Sequence, residues 1–151
     1  IQDALSDAGV ERDDLLRFVD LAAFSWLVGN GDLHAKNVSV LRDFLPGQLG
    51  APPQPSGVRL SPAYDLVNTA VVIRGDLFAL PVNGRENNLR RRDFLALAAR
   101  VDLPKDMVDA RLDRVAGGLE RHLEAVLDVA GLPENAVTVY REIVTDRLAK
   151  F

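Results

Sequence analysis

The chain has 151 residues, 48% of them hydrophobic and 26% charged, enough apolar material for one compact unit. A net charge of −4 argues against a broad electrostatic nucleic-acid footprint, and the lack of cysteine excludes disulfides and thiolate metal sites. No apolar run approaches the ~18 residues of a transmembrane helix and no signal peptide is visible, so a cytoplasmic location without a membrane partner is expected.

Residues 1–9 read as a short lead-in ending at Gly9. A helix is expected from Asp13, because Asp13 and Asp14 suit a first turn, where free N–H groups and the helix dipole favour acids. Leu15, Val19, Ala22, Ala23, Trp26 and Leu27 recur at helical spacing, and Phe18, Leu21 and Phe24 widen the stripe, so the helix should be buried on most sides. Gly29 and Gly31 end it. The polar stretch Gly29-Asn30-Gly31-Asp32-Leu33-His34-Ala35-Lys36-Asn37 follows.

Beyond that loop, Val38, Val40 and Leu41 predict a short strand and Val58-Arg59-Leu60 a second, together a β-hairpin. Between them Asp43–Gly57 holds four prolines and three glycines and reads as a mobile surface loop or a long hairpin tip. Pro62 breaks the second strand, Asp65 stands at its exit, and apolar residues 66–73 predict a short helix. Phe78 to Val82 reads as an extended piece with Asn83-Gly84 as its turn.

From Arg90 onward the pattern is helical. Phe94, Leu95, Leu97, Ala98 and Val101 mark one helix, ending near Leu103-Pro104. Val108, Leu112, Val115, Leu119, Leu123 and Val126 mark a longer one, which Gly117-Gly118 would bend. Pro133 opens the last, with Val137, Tyr140, Val144 and Leu148 facing inward. The run Arg90-Arg91-Arg92 opens a helix, an unfavourable place for cations, and reads as solvated charge or as a contact for an acidic partner. The fold expected is mainly α with a small β-hairpin.

Antiparallel pairing brings the outer ends of a hairpin together. Asn37 enters the first strand and Asp65 leaves the second, so the two should sit close to each other and near Asp32. Asp32-x-x-x-x-Asn37 has the spacing of a kinase catalytic loop, in which the Asp accepts the proton of the acceptor hydroxyl and the Asn holds Mg²⁺. Phosphoryl transfer requires a carboxylate beside the acceptor and hard oxygen ligands for Mg²⁺. Asp32 fits the first need, Asn37 and Asp65 the second. His34 is placed to contact substrate or the transferring phosphate, and Lys36 to neutralise phosphate charge. Each has a plainer reading as well: Asp32 and Asn37 as loop residues pairing with backbone, Asp65 as a helix N-cap, His34 as a structural hydrogen-bonder and Lys36 as a solvated charge.

Gly31-Asp32-Leu33-His34-Ala35-Lys36-Asn37, followed by Leu60-Ser61-Pro62-Ala63-Tyr64-Asp65-Leu66, resembles the C-terminal lobe of HipA-like toxin kinases. The likeness runs from about Asp14 to about Leu103. The loop also looks like that of aminoglycoside and choline kinases, but Pro62-Ala63-Tyr64-Asp65 favours the HipA-like family. The resemblance implies a protein-kinase-like fold and a bacterial serine/threonine protein kinase, the toxin of a type II toxin–antitoxin pair, using ATP and Mg²⁺. The best-known member phosphorylates a serine of glutamyl-tRNA synthetase and promotes persistence. The usual partner is a helix-turn-helix antitoxin, through which DNA is met only indirectly. Carried over by residue, Asp32 is the catalytic base, Asn37 and Asp65 bind the metal and its nucleotide, and His34 and Lys36 complete the catalytic set.

Two features depart from a whole kinase. Neither a Gly-rich phosphate loop nor a strand Lys is present, and in the family both lie upstream. The chain also starts at Ile1 with Met107 as its one methionine. The expectation is therefore a single C-terminal lobe over 1–151 without its N-terminal lobe: catalytic loop 29–37, hairpin 38–60, metal-binding segment 61–66 and helical tail 90–151. Alone, it should bind nucleotide weakly and not turn over. The competing readings are a small-molecule kinase of the aminoglycoside or choline type and a non-catalytic antitoxin-binding module.

Overall fold

A computed structural model describes residues 1–45, 52–73 and 75–151. Five α-helices and one antiparallel ribbon follow in the order α1 (Gln2–Asp7), α2 (Arg12–Val28), a 3-10 turn (Ala35–Asn37), β1 (Val40–Leu45), β2 (Gln54–Leu60), α3 (Arg91–Ala99), α4 (Lys105–Val129) and α5 (Glu134–Lys150). The mainly helical expectation with one hairpin is met. The lead-in forms α1, which Leu5 anchors in the core before Gly9 (φ +83) turns the chain.

Helix α2 is the centre of the molecule. Asp13 and Asp14 occupy its first turn, and Leu16, Phe18, Val19, Ala22, Ala23 and Leu27 are all buried. It ends in a Schellman turn: Gly29 takes φ +84 and the Asn30 N–H reaches back to the Ser25 carbonyl at 2.9 Å. Phe94 and Leu97 of α3, Val108 and Leu112 of α4, and Phe78, Leu80, Val82 and Leu89 of the long connection all join the same core. Trp26 meets Phe78 edge-on, ring centroids 6.0 Å apart.

The strands run further into the proline-rich stretch than the sequence indicates. β1 pairs with β2 in the register Val40↔Leu60, Arg42↔Val58 and Asp43↔Gly57, then shifts before Phe44↔Pro55 and Leu45↔Gln54. A two-stranded ribbon has a free edge on each strand, so Pro55, which has no N–H to give, is tolerated beside the irregularity. Arg59 and Asp43 close an ion pair across the ribbon at 3.0 Å. The centre of the loop read over Asp43–Gly57 lies outside the described residues.

The helix expected over 66–73 does not form. Thr69 and Ala70 both donate their N–H groups to the Gly29 carbonyl, each at 3.1 Å, and the Asn68 side chain donates to the Val28 carbonyl at 2.7 Å. With its backbone drawn to the end of α2, the segment makes only a turn, closed by Ile73 N–H to Thr69 O at 2.8 Å. The turn at Asn83-Gly84 is present, with both residues at positive φ and a bridge between Val82 and Arg85.

In the tail, α4 runs unbroken through Gly117-Gly118. Its buried face drifts toward the end: Val126 is 58% exposed, whereas Leu127 is 5% exposed, continuing the four-residue step from Leu119 and Leu123. Val144 of α5 is fully buried, with Val137, Tyr140 and Leu148 half-buried around it. The arginine run meets acids within the chain, since Arg91 on α3 pairs with Asp109 at 2.9 Å and Asp113 at 2.7 Å on α4. No helix among the described residues is long and apolar enough to cross a membrane.

Candidate active site

The site is built where the end of α2 meets both ends of the ribbon. Two bonds fix the ribbon there: Asp14 on α2 accepts the Leu60 N–H at 2.7 Å, and the Ser61 N–H reaches the Ser39 carbonyl at 2.9 Å. The chain entering β1 is thereby held beside the chain leaving β2.

Across that junction the Asn37 amide donates to Asp65 Oδ2 at 2.6 Å. Asn37 is 5% exposed. Its other atom, Oδ1, accepts the His34 N–H at 3.1 Å, which closes the 3-10 turn over Ala35–Asn37. The amide orientation is thus set from both sides. Asp65 has φ +56, a left-handed conformation in which a non-glycine residue costs about 1–2 kcal/mol, least for Asp and Asn.

Tyr64, named in the sequence only as part of a motif, acts as the clasp of the junction. Its hydroxyl donates to the Lys36 carbonyl at 2.8 Å. A phenol has one proton, so the Ser39 hydroxyl, 2.7 Å away, must be the donor to Tyr64. Pro62-Ala63-Tyr64-Asp65 is irregular in structure, and this clasp is what holds it against the 3-10 turn.

Asp32 lies in the turn before it, exposed, with His34 Nε2 4.0 Å from Asp32 Oδ1. The His34 ring is partly exposed, and its Nδ1 is buried without a partner among the described residues. Lys36 points to solvent, and its ammonium forms no ion pair among the described residues. The structure therefore joins Asn37 directly to Asp65, sets His34 beside Asp32, and leaves Lys36 tied to the site by its carbonyl alone.

The oxygen set suits Mg²⁺. Asp65 Oδ1 is not used by the Asn37 bond, and the Asn37 carbonyl oxygen has a second lone pair. Magnesium takes one or two protein carboxylates and completes its octahedron with phosphate oxygens and water. Among the described residues no group of three or more acidic, His or Cys side chains is placed to hold a metal ion, and Asn37 and Asp65 are the oxygen donors this site brings together.

Several residues that support the loop carry no sequence signal. Thr69 Oγ1 accepts the Gly31 N–H at 2.8 Å and donates to Asp76. Arg147, on α5, donates to the Trp26 carbonyl and lies 3.9 Å from the centre of the Trp26 ring. Burial lowers the pKa of Arg147, with Asp76 and Asp146 opposing that shift. The bonds to Gly31 and Trp26 join residues 38 and 121 positions apart and follow no periodicity.

Comparison with known proteins shows the family and the fold. The model of the HipA-like C-terminal domain matches residues 1–123. Two Sinorhizobium fredii proteins are similar. The one named "Putative kinase Y4dM" is 35% identical over 105 residues, covering 66% of this chain and 23% of its own length. The one named "Putative kinase Y4mE" is 31% identical over 140 residues, covering 83% and 30%. The chain thus spans less than a third of the length of these curated relatives. Among solved structures, HipA of Shewanella oneidensis MR-1, in complex with HipB and operator DNA, superposes with a TM-score of 0.61 at 21% identity. That match covers 89% of this chain and 30% of the HipA chain, and it establishes a shared fold.

Proposed function

The chain belongs to the HipA-like C-terminal domain family, and from that premise we propose that it is the catalytic lobe of a serine/threonine protein kinase, the toxin of a toxin–antitoxin pair. The observation that carries the reading is the 2.6 Å bond between Asn37 and Asp65, 28 positions apart, at the foot of the turn that presents Asp32. A surface connector has no need of a buried amide oriented from two sides against a carboxylate in a left-handed conformation.

In this reading Asp32 accepts the proton of a protein serine as its oxygen attacks the γ-phosphorus of ATP, and ADP leaves. The partial exposure of Asp32 and His34 suits a pair that must meet a macromolecular acceptor. Asn37 and Asp65 would hold Mg²⁺, which supplies charge neutralisation at the phosphates. Lys36 stands at the solvent side, where a phosphate oxygen or an acidic residue of the acceptor would find it. The solved HipA relative is bound to HipB and DNA. By analogy the partner of this protein is a helix-turn-helix antitoxin, with DNA met through it and the cytoplasm as the working compartment.

The test uses the full-length gene product with labelled ATP, Mg²⁺ and a cell lysate. Label should enter a protein band with the native sequence and fall by at least about 100-fold in Asp32→Asn. Asp65→Ala should abolish Mg²⁺-dependent nucleotide binding. Equal labelling by native protein and Asp32→Asn would overturn the assignment of the base. Absence of transfer from folded, partner-binding protein would overturn catalysis.

A further inference from the structure

The peptide that delivers Asp32 is clamped from outside the loop. Gly31 has both backbone groups engaged by the segment 69–79: its N–H donates to Thr69 Oγ1 at 2.8 Å, and its carbonyl accepts the Ala79 N–H at 2.8 Å. The Thr69 hydroxyl has one proton. Two acceptors lie within its reach, the Gly29 carbonyl at 3.4 Å and the much nearer Asp76 carboxylate, so the proton goes to Asp76 Oδ2, leaving an oxygen lone pair for Gly31. The Gly31 N–H is shared with a second acceptor within the loop, the Gly29 carbonyl at 3.1 Å, across a three-residue turn.

Contact here is close enough that any other residue at 31 would have to displace the Asp76 side chain. A Cβ at Gly31 would stand 1.9 Å from Asp76 Oδ2 and 2.9 Å from Thr69 Oγ1. The Asp76 carboxylate therefore occupies the space that any other residue at 31 would fill. Asp76 is itself held by its neighbours: its N–H bonds to the Ile73 carbonyl, and Phe78, two residues on, is 1% exposed in the core against Trp26. Rigid core, carboxylate, hydroxyl and loop peptide form one chain of contacts ending one residue before Asp32.

The geometry points to Asp76, acting through Thr69, as a positioning residue for Asp32. This inference rests on the kinase reading above. Neither side chain touches substrate. Thr69 fixes the orientation of the Gly31 peptide, and Asp76 fixes the direction of the Thr69 hydroxyl. The charged acceptor makes that bond stronger than a neutral one. Loosening it changes where the Asp32 carboxylate points without altering the nucleotide site at Asn37 and Asp65.

The experiment compares Thr69→Val, Thr69→Ser, Asp76→Ala and the double variant Thr69→Val/Asp76→Ala in the full-length gene product. Thr69→Val should lower kcat by roughly 10- to 100-fold, the scale of a small misplacement of a reacting group, with KM for ATP unchanged. Thr69→Ser, which keeps the hydroxyl, should restore most of the rate. The double variant should be no slower than Thr69→Val, because Asp76 acts through Thr69. A Thr69→Val enzyme with native kcat, a Thr69→Ser enzyme as slow as Thr69→Val, or losses that multiply in the double variant would each overturn the inference. Amide hydrogen exchange gives a readout that needs no catalysis: the Gly31 amide should exchange faster in Thr69→Val while amides within α2 keep native rates. Unchanged Gly31 exchange would overturn the clamp. Native protein that transfers no phosphate, with Gly31 exchange altered as expected, would overturn the kinase reading and leave the clamp standing.

Discussion

At the scale of single residues, the site depends on groups that fix one another's direction. Asn37 is oriented by the His34 N–H on one side and Asp65 on the other, and Tyr64 holds the next peptide through Lys36. Tyr64→Phe removes both bonds of the phenol, to Lys36 and from Ser39, and strands no buried group, because the region is solvent-exposed. Stability should therefore fall by less than ~1 kcal/mol. Under the proposed kinase reading, phosphoryl transfer should fall further than stability, since the clasp holds Asp65 beside Asn37, the proposed metal ligands. Melting curves and single-turnover rates on the same sample separate the two effects, and a rate loss no larger than the stability loss would deny Tyr64 that part. Gly31→Ala is the opposite kind of change. Its methyl group would collide with the Asp76 carboxylate and push it off the Thr69 hydroxyl, so a destabilisation of about 1–3 kcal/mol is expected in chemical denaturation.

At the scale of elements, α3 is clamped to α4 by Arg91, which reaches Asp109 and Asp113 and also donates to the Asp109 carbonyl at 2.7 Å. Bonds from Lys105 and then Arg91 lower the pKa of Asp109 below its ordinary value. A depressed carboxylate stabilises the fold above its unfolded-state pKa, and that contribution is lost as pH falls through the folded-state value. The clamp should therefore be intact at neutral pH and fail below about pH 4. Asp109→Asn should remove that part of the acid sensitivity, so its melting temperature should change less between pH 7 and pH 3 than that of the native chain. The elements that could be read in the sequence are those whose signal is repetition or punctuation: α2 by its apolar stripe and Gly29, α3 to α5 by steps of three and four, the hairpin by its paired apolar runs. What could not be read lies in 66–79. Its apolar residues imitate a helix, yet Asn68 and Thr69 turn their polar groups to the end of α2 while Asp76 holds the Thr69 hydroxyl, and pairings across 40 positions leave no mark on local pattern. The candidate site was legible for a related reason. Asn37 and Asp65 sit at the two ends of a hairpin, where antiparallel pairing alone brings distant residues together, whereas the supports of Gly31 come from an irregular strand-free segment.

At the scale of the whole molecule, the loop that carries Asp32 is held from the far end of the chain. The family match ends at residue 123, and α5 follows from Glu134 to Lys150. Helix α5 still buries Val144 completely and sends Arg147 to the Trp26 carbonyl, three residues before Gly29. Trp26 is 6% exposed, with Phe78 at its edge and the Arg147 guanidinium over its ring. Arg147 and Asp76 line one cavity of about 250 Å³, so the tail helix and the Gly31 clamp converge on the same wall. A guanidinium bond to a carbonyl plus a stacked aromatic is worth about 2 kcal/mol in a partly buried setting. The neighbouring Arg141 also makes two bonds, both 2.8 Å, but to Glu124 on an exposed surface, where an ion pair contributes at most ~1 kcal/mol. Arg147→Ala should therefore lower the urea midpoint clearly more than Arg141→Ala, although both delete one arginine from the same helix. Arg147→Lys should fall between them, keeping a charge over the ring while losing the planar fork that serves ring and carbonyl together. Equal losses for Arg147→Ala and Arg141→Ala would mean that α5 docks through Val144 and its apolar neighbours alone. A larger loss at Arg147 would make the tail helix part of the scaffold on which the turn carrying Asp32 is set.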